Sequence, residues 1–185
     1  AASDVYKRQL EELPPEIDGF VYCPGSINLR PFKGLKSEAF LNDFELNVLG
    51  AVKCLQIIQP LLAASEQASV VLFSTVAVQT GIPFHASVAA SKGALEGLGR
   101  SLAAEWAPKI RVNLIASSIT DTPLANRFLN NEIKKEKSSL RHPLKRIGSV
   151  NDVAELAVFL LTEKSSWMTG QVIGLDGGIS TLNIN

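Results

Sequence analysis

The stretch SVVLFSTVAVQTGIPFHASVAASKGALEGLGRSLAAEWAPKIRVNLI, residues 69–115, decides the fold. Ser69 to Phe73 is a nearly continuous apolar run rich in valine, which suits a strand covered on both faces. Gly81-Ile82-Pro83 reads as a loop. A helix rich in Ala, Ser and Gly is predicted from about His85 to Trp106, and Ile110 to Ile115 reads as the next strand. Strand, helix, strand in that order is a parallel pair joined by a crossover helix.

The same alternation extends outward. Upstream, Phe20-Val21-Tyr22-Cys23 is a short strand ending at Pro24-Gly25. Ser37 is expected to N-cap a helix from about Glu38 to Ala64, with an apolar stripe of Phe40, Phe44, Val48, Ala51, Leu55 and Ile58. Pro60 is expected to kink or end it near its last turn. Downstream, Ser117 to Pro143 is polar and irregular, with a basic helical piece around Asn131 to Lys137. Ser149 caps a further helix whose buried face reads Val150, Val153, Ala154, Ala157, Leu160 and Leu161. Gln171 to Leu175 is a last strand before Asp176-Gly177-Gly178. The fold class is therefore α/β, a Rossmann-like doubly wound parallel sheet with helices on both faces. Four strands is few for that architecture, and the segment before Asp18 is too short for another βαβ unit of about 30 residues.

Composition narrows the function classes. A chain of 185 residues with 46% hydrophobic content suits one domain with a real core. Eighteen basic and 18 acidic residues cancel, so there is no broad field for nucleic acid or an anionic membrane. Cys23 and Cys54 have no CxxC or metal-ligand spacing, and read as buried thiols in a reducing compartment. The expectation is a cytoplasmic protein with no metal. The apolar run Val48 to Ala64 contains Lys53, Gln56 and Gln59, which marks a core helix rather than a membrane span. No signal peptide is read ahead of the fold. Asp4-Val5-Tyr6-Lys7-Arg8-Gln9 resembles the translation of a transposon-end adapter from sequencing libraries. Residues 1–9 are set aside as such a scar, and 10–185 as the domain.

Several motifs, in order and spacing, together resemble the short-chain dehydrogenase/reductase family. Asp18-Gly-Phe-Val-Tyr-Cys-Pro-Gly25 looks like its fourth strand, Val70-Val-Leu-Phe-Ser-Thr75 like its fifth, and Arg111-Val-Asn-Leu-Ile115 like its sixth. Ala89-Ala-Ser-Lys-Gly-Ala-Leu95 matches the helix that carries Tyr-x-x-x-Lys. Arg146-Ile-Gly, Asp152-Val-Ala and Thr169-Gly-Gln-Val are similar to its carboxyl end, closing on Asp176-Gly-Gly. The match covers roughly Asp18 to Gly178 and implies strands four to seven of the family sheet. The Gly-rich turn that brings backbone and a helix N-terminus to the dinucleotide pyrophosphate is absent, so the domain reads as partial.

The resemblance implies a chemistry: hydride passes from a nicotinamide to a carbonyl carbon, and the oxygen takes a proton. A tyrosine does this when a lysine ammonium moves its pKa of about 10 toward neutrality. Lys92 occupies the lysine position. Four residues earlier, at the tyrosine position, stands Val88, which has no proton to give. Thr75, 13 residues before Val88, holds the serine position; its hydroxyl can equally tie up backbone at the strand end. Asn47 holds the asparagine position. His85 falls on the stripe of Val88 and Lys92, as a substitute acid or as a loop residue capping the helix. Cofactor binding, to NAD or NADP, is implied for Cys23, Gly25, Lys92, Thr120 and Thr122. Ser117-Ser118 replaces the family's Pro-Gly ahead of the two threonines.

Leu124 to Leu144 is the implied substrate lid over a small carbonyl or alcohol. Its Lys134, Lys135, Lys137 and Arg141, with Lys145, attract an acidic substrate or form a solvated face balanced by Glu132 and Glu136. The helices 38–64 and 86–104 resemble the family's dimer-forming pair, which implies a homodimer or homotetramer. Two functions remain open: an oxidoreductase with a non-standard acid, or a non-catalytic dinucleotide-binding or oligomer-forming protein. Without the family's first strand, the edge at Phe20 to Cys23 is expected to be bare and apolar.

Overall fold

Val70, Val71, Leu72, Val112, Leu114 and Ile115 are fully buried, because each strand they belong to is covered on both faces. The computed structural model describes residues 13–183, so the segment 1–9 lies outside the described residues. Strand β1 (Gly19–Tyr22) pairs with β2 (Ala68–Thr75), β2 with β3 (Ile110–Ser117), and β3 with β4 (Val172–Leu175), all parallel, in the order β1-β2-β3-β4. The expected doubly wound parallel sheet is what forms, and its two central strands run past the apolar stretches that mark them in the sequence. Thr75 lies opposite Ser117, and Ser117 opposite Leu175, so three strand ends finish together. In open parallel sheets ligands bind beyond the carboxyl ends of the strands.

Helices α1 (Ser37–Phe44), α2 (Gly50–Ala64) and α4 (Ala86–Trp106) belong to one face; α3 (Ala77–Thr80) is a single turn after β2. One core joins Leu55, Ile58 and Leu62 of α2 to Val70 and Leu72 of β2 and Leu95 of α4. On the other face α7 (Val150–Leu161) packs Ala157 and Leu160 on Val71 and Ile115. Strand alternation explains the division, since Val70 and Leu72 point one way and Val71 the other. The short helices α5 (Asn126–Leu129) and α6 (Glu132–Leu140) lie in the segment 124–144 that the sequence implied as a lid.

Several expectations are corrected. Lys36, not Ser37, is the N-cap of α1, and it makes no side-chain cap bond. Pro60 does lie near the end of α2, which stops at Ala64 as expected. Between α1 and α2 the chain forms a π-helical turn, Glu45–Leu49. One inserted residue rotates the helix beyond it by about a hundred degrees. The buried residues therefore run Asp43, Asn47, Val48, Ala51, Leu55, Ile58 and Leu62, while Phe44 is 40% exposed. Val150 is likewise exposed, on the first turn of α7. Ser149 does cap α7, in a reciprocal capping box with Asp152. Arg146 grips Asp152 with both terminal nitrogens and, with Ser149, holds its carboxyl below the usual range. The helical span Ser37–Ala64 is long and apolar enough to cross a bilayer, yet its inner stripe is built into the core.

Candidate active site

Gly50 fixes the geometry from which the site starts. Its N–H donates to the Glu45 carbonyl, closing the π turn and leaving the Leu46 carbonyl to accept from Tyr22 Oη at 2.7 Å. A Cβ on Gly50 would lie 2.1 Å from that hydroxyl oxygen, so only glycine lets the tyrosine pass. The turn aims Asn47, fully buried, at the carboxyl ends of β1 and β2. Asn47 Nδ2 donates to Ser91 Oγ (2.9 Å) and to Ser26 Oγ (3.2 Å), and Ser26 donates to Asp43 Oδ1 (2.7 Å). Ser91 donates in turn to the Val88 carbonyl. Asn47 Oδ1 and Asp43 Oδ2 are buried with no hydrogen-bond partner among the described residues.

Lys92 is 6% exposed and donates from Nζ to the Phe73 carbonyl at 2.8 Å. Burial lowers its pKa to about 8, against the field of the Asp43 carboxylate, which favours the charge. A Cβ built on Gly25 would stand 3.4 Å from Lys92 Nζ and 3.6 Å from Asn47 Oδ1, so these two polar atoms converge over Gly25. In the unfolded chain the ammonium persists up to about pH 10.5, while the folded chain releases its proton near pH 8. Between those values the unfolded state holds more protons, and stability rises with pH by on the order of 3 kcal/mol from this group. Urea titrations from pH 7 to 10.5 should show that increment in the wild type and not in Lys92→Met.

Lys92, Gly25 and Ser26 border a cavity of about 840 Å³ at the strand ends. His85, Val88 and Lys92 line it from one stripe of α4; Thr75 lines it from β2, Cys23 and Gly25 from the end of β1, and Thr120 and Thr122 from the loop after β3. Asn47 stands behind Lys92 and is not part of the wall. Thr75 Oγ1 accepts from the Ala77 N–H, so it does tie up backbone at the strand end. Val88 is 6% exposed, and no group on its side chain titrates. His85 is half-buried. Its Nδ1 lies 2.8 Å from the Pro83 carbonyl, which can only accept, so Nδ1 carries a proton. It stands at the N-cap of α4 without a side-chain cap bond. Cys23 is exposed and Cys54 half-buried, which corrects the reading of two buried thiols; a side chain at the mouth of a cleft has no cover.

Four participants were not read from the sequence. Ser26, Asp43 and Ser91 hold Asn47, and their spacing of 17 to 44 residues from their partners leaves no local signal. His142 is the fourth, 3% exposed. Its Nδ1 donates to the Ser138 carbonyl at 2.7 Å, and its Nε2 is hydrogen-bonded to Ser118 Oγ at 2.8 Å. The lid is thereby tied to the Ser117-Ser118 pair. Thr120 and Thr122 spend their hydroxyls on nearby carbonyls, those of Ser118 and Thr120.

Residues 2–180 match the family described as Enoyl-(Acyl carrier protein) reductase. A tropinone reductase homolog of Arabidopsis thaliana is 41% identical over 155 residues, 82% of this chain and 57% of that protein. The chain spans about 60% of the length of the curated relatives it matches. A short-chain dehydrogenase/reductase from Brucella melitensis, described as a glucose/ribitol dehydrogenase, superposes with a TM-score of 0.87 at 28% identity, over 97% of this chain and 72% of that one. ElxO with NADP bound gives 0.86 at 25% identity, over 97% and 73%.

Proposed function

Since the chain belongs to the short-chain dehydrogenase/reductase family, we propose that the protein it forms part of is an NAD(P)-dependent oxidoreductase for a carbonyl/alcohol pair, with a site that lacks the family's phenol. The observation that carries this reading is the convergence of Lys92 Nζ and Asn47 Oδ1 over Gly25, with Gly25, Val88 and Lys92 on the wall of one cavity. A buried lysine and a buried asparagine are costly to keep unless they serve something.

The cavity fits the nicotinamide end of a dinucleotide. Its walls are mostly apolar, its volume lies in the range of small-molecule sites, and beside its wall residue Gly25 lies Asn47 Oδ1, a buried acceptor with no partner among the described residues. Cys23, Gly25, Lys92, Thr120 and Thr122 would hold that end. The bound cofactor would supply or accept the hydride. ElxO, a structural neighbour, binds NADP, which supports the assignment by likeness. Thr75 orients a substrate oxygen in this reading, and Lys92 Nζ, mostly the ammonium at neutral pH with a pKa lowered to about 8, holds the nicotinamide ribose.

The acid is the open part of the site. His85 stands one turn before Val88 with Nε2 uncommitted among the described residues, and in its imidazolium form, protonated at Nε2 as well as at Nδ1, it is our candidate for the missing donor. In the complete protein His85→Ala should lower carbonyl turnover about a hundredfold, the scale of one positioned acid. Unchanged turnover removes His85 from the chemistry. The function itself is tested by nicotinamide oxidation against a panel of aldehydes and ketones. A second reading rests on Val88: with no ionisable group in the phenol's place, the protein binds dinucleotide without turning it over. Dinucleotide binding without oxidation on any member of the panel selects it. In either case we expect a cytoplasmic homodimer or homotetramer, supported by the outward apolar face of Leu41, Phe44, Leu46, Leu49 and Ile57.

A further inference from the structure

The chain is electrically neutral, but its main cavity is not. Lys92, Lys134, Lys137 and Arg141 line it, and no Asp or Glu does. Three of the four come from α6 and the residue after it, at positions 134, 137 and 141, the spacing of one helical side. None of the three has an acidic residue three or four positions away, so the face carries like charges without local relief. Glu132 and Glu136 do not line the cavity. The two cations that lack a place on the wall are committed elsewhere: Lys135 to Asp121 at 3.3 Å, and Lys145 to the Leu140 carbonyl. Lys134 is held by Asn130 Oδ1 and the Arg127 carbonyl. Lys137 and Arg141 make no side-chain hydrogen bond to a described residue. Lys134, Lys137 and Arg141 are exposed and line the cavity as well, so this part of the basic stretch is a solvated rim of the cavity.

We propose that Lys137 and Arg141 form an anion subsite on the lid, so that the substrate of the reaction proposed above is a carbonyl compound carrying a carboxylate or phosphate. Single-sign charge in a cleft with apolar walls concentrates an anion there. Arg141 offers a planar fork for two oxygens, and Lys137 a mobile third donor. The subsite is fixed relative to the strand ends, since His142, next to Arg141, is bonded to Ser118 at the end of β3. An anion held by the lid thus places the remainder of the molecule along Thr75 and Val88.

The proposal rests on the reading of the site as a carbonyl site, and the test separates the two. Binding of a 2-oxo dicarboxylate and of its neutral dimethyl ester is measured by calorimetry on the complete protein, with and without NADP. The wild type should bind the diacid at least tenfold more tightly than the ester. K137Q/R141Q should remove that preference and leave the affinity for NADP within twofold. Equal binding of diacid and ester overturns the proposal. So does a double variant that loses affinity for NADP instead, because the cations then serve the cofactor's phosphates. Turnover is scored apart: preference for the diacid without any carbonyl reduction refutes the oxidoreductase reading and keeps the subsite.

Discussion

Gly50→Ala should destabilise the protein by about 3 kcal/mol, seen as a lower urea midpoint at unchanged slope. The added methyl would meet Tyr22 Oη at 2.1 Å. Either the ring retreats from the Leu46 carbonyl, losing a hydrogen bond, or the π turn unwinds. Overpacking of a closed core costs about 1–3 kcal/mol, and an unpaired buried polar group about as much again. Gly97→Ala in α4 is the control. Nothing lies within 4 Å of its added methyl, and alanine is the better helix former, so that variant should gain about 0.5–1 kcal/mol. Because the π turn aims Asn47, Gly50→Ala should also weaken dinucleotide binding in the complete protein, an effect Gly97→Ala should not share.

The second large effect is a gain. Val88→Tyr should raise carbonyl turnover of the complete protein by roughly 10²–10⁴, the contribution of one well-placed general acid. Val88 is on the cavity wall, so the larger ring has open space ahead of it and Lys92 one turn away. If the wild type already turns over by another donor, the gain shrinks toward the bottom of that range, and His85→Ala then distinguishes the source. If the wild type only binds, activity should appear in the variant alone.

How much of the molecule is legible in its sequence depends on how local each signal is. The valine-rich runs and the small-residue helix specify parallel strands and crossover helices without help from distant residues. Thr75, Val88 and Lys92 are separated by 13 and four positions within one strand–helix unit, so their meeting at one wall is implied once that unit is recognised. Resemblance places Asn47 but not the turn that aims it, because a π insertion has no marker in the sequence. It depends on Tyr22 reaching Leu46 from another element, 24 positions away. The same holds for His142, whose partner Ser118 also lies 24 positions off. The lid's charge is visible in the sequence as composition only. Which lysines border the cavity depends on the phase of α6 against Asp121 and Asn130, a tertiary fact.

The central claim is that the side chain at position 88 faces Lys92 in the place of a phenol. It is tested most directly by an ultraviolet pH titration of Val88→Tyr minus wild type, which isolates the added phenol from Tyr6 and Tyr22. The expected result is a phenol that ionises well below the ordinary value of about 10, drawn down by the Lys92 ammonium, and that returns to or above it when Lys92→Met is added. A phenol that titrates at or above about 10 whether or not Lys92 is present would contradict the claim.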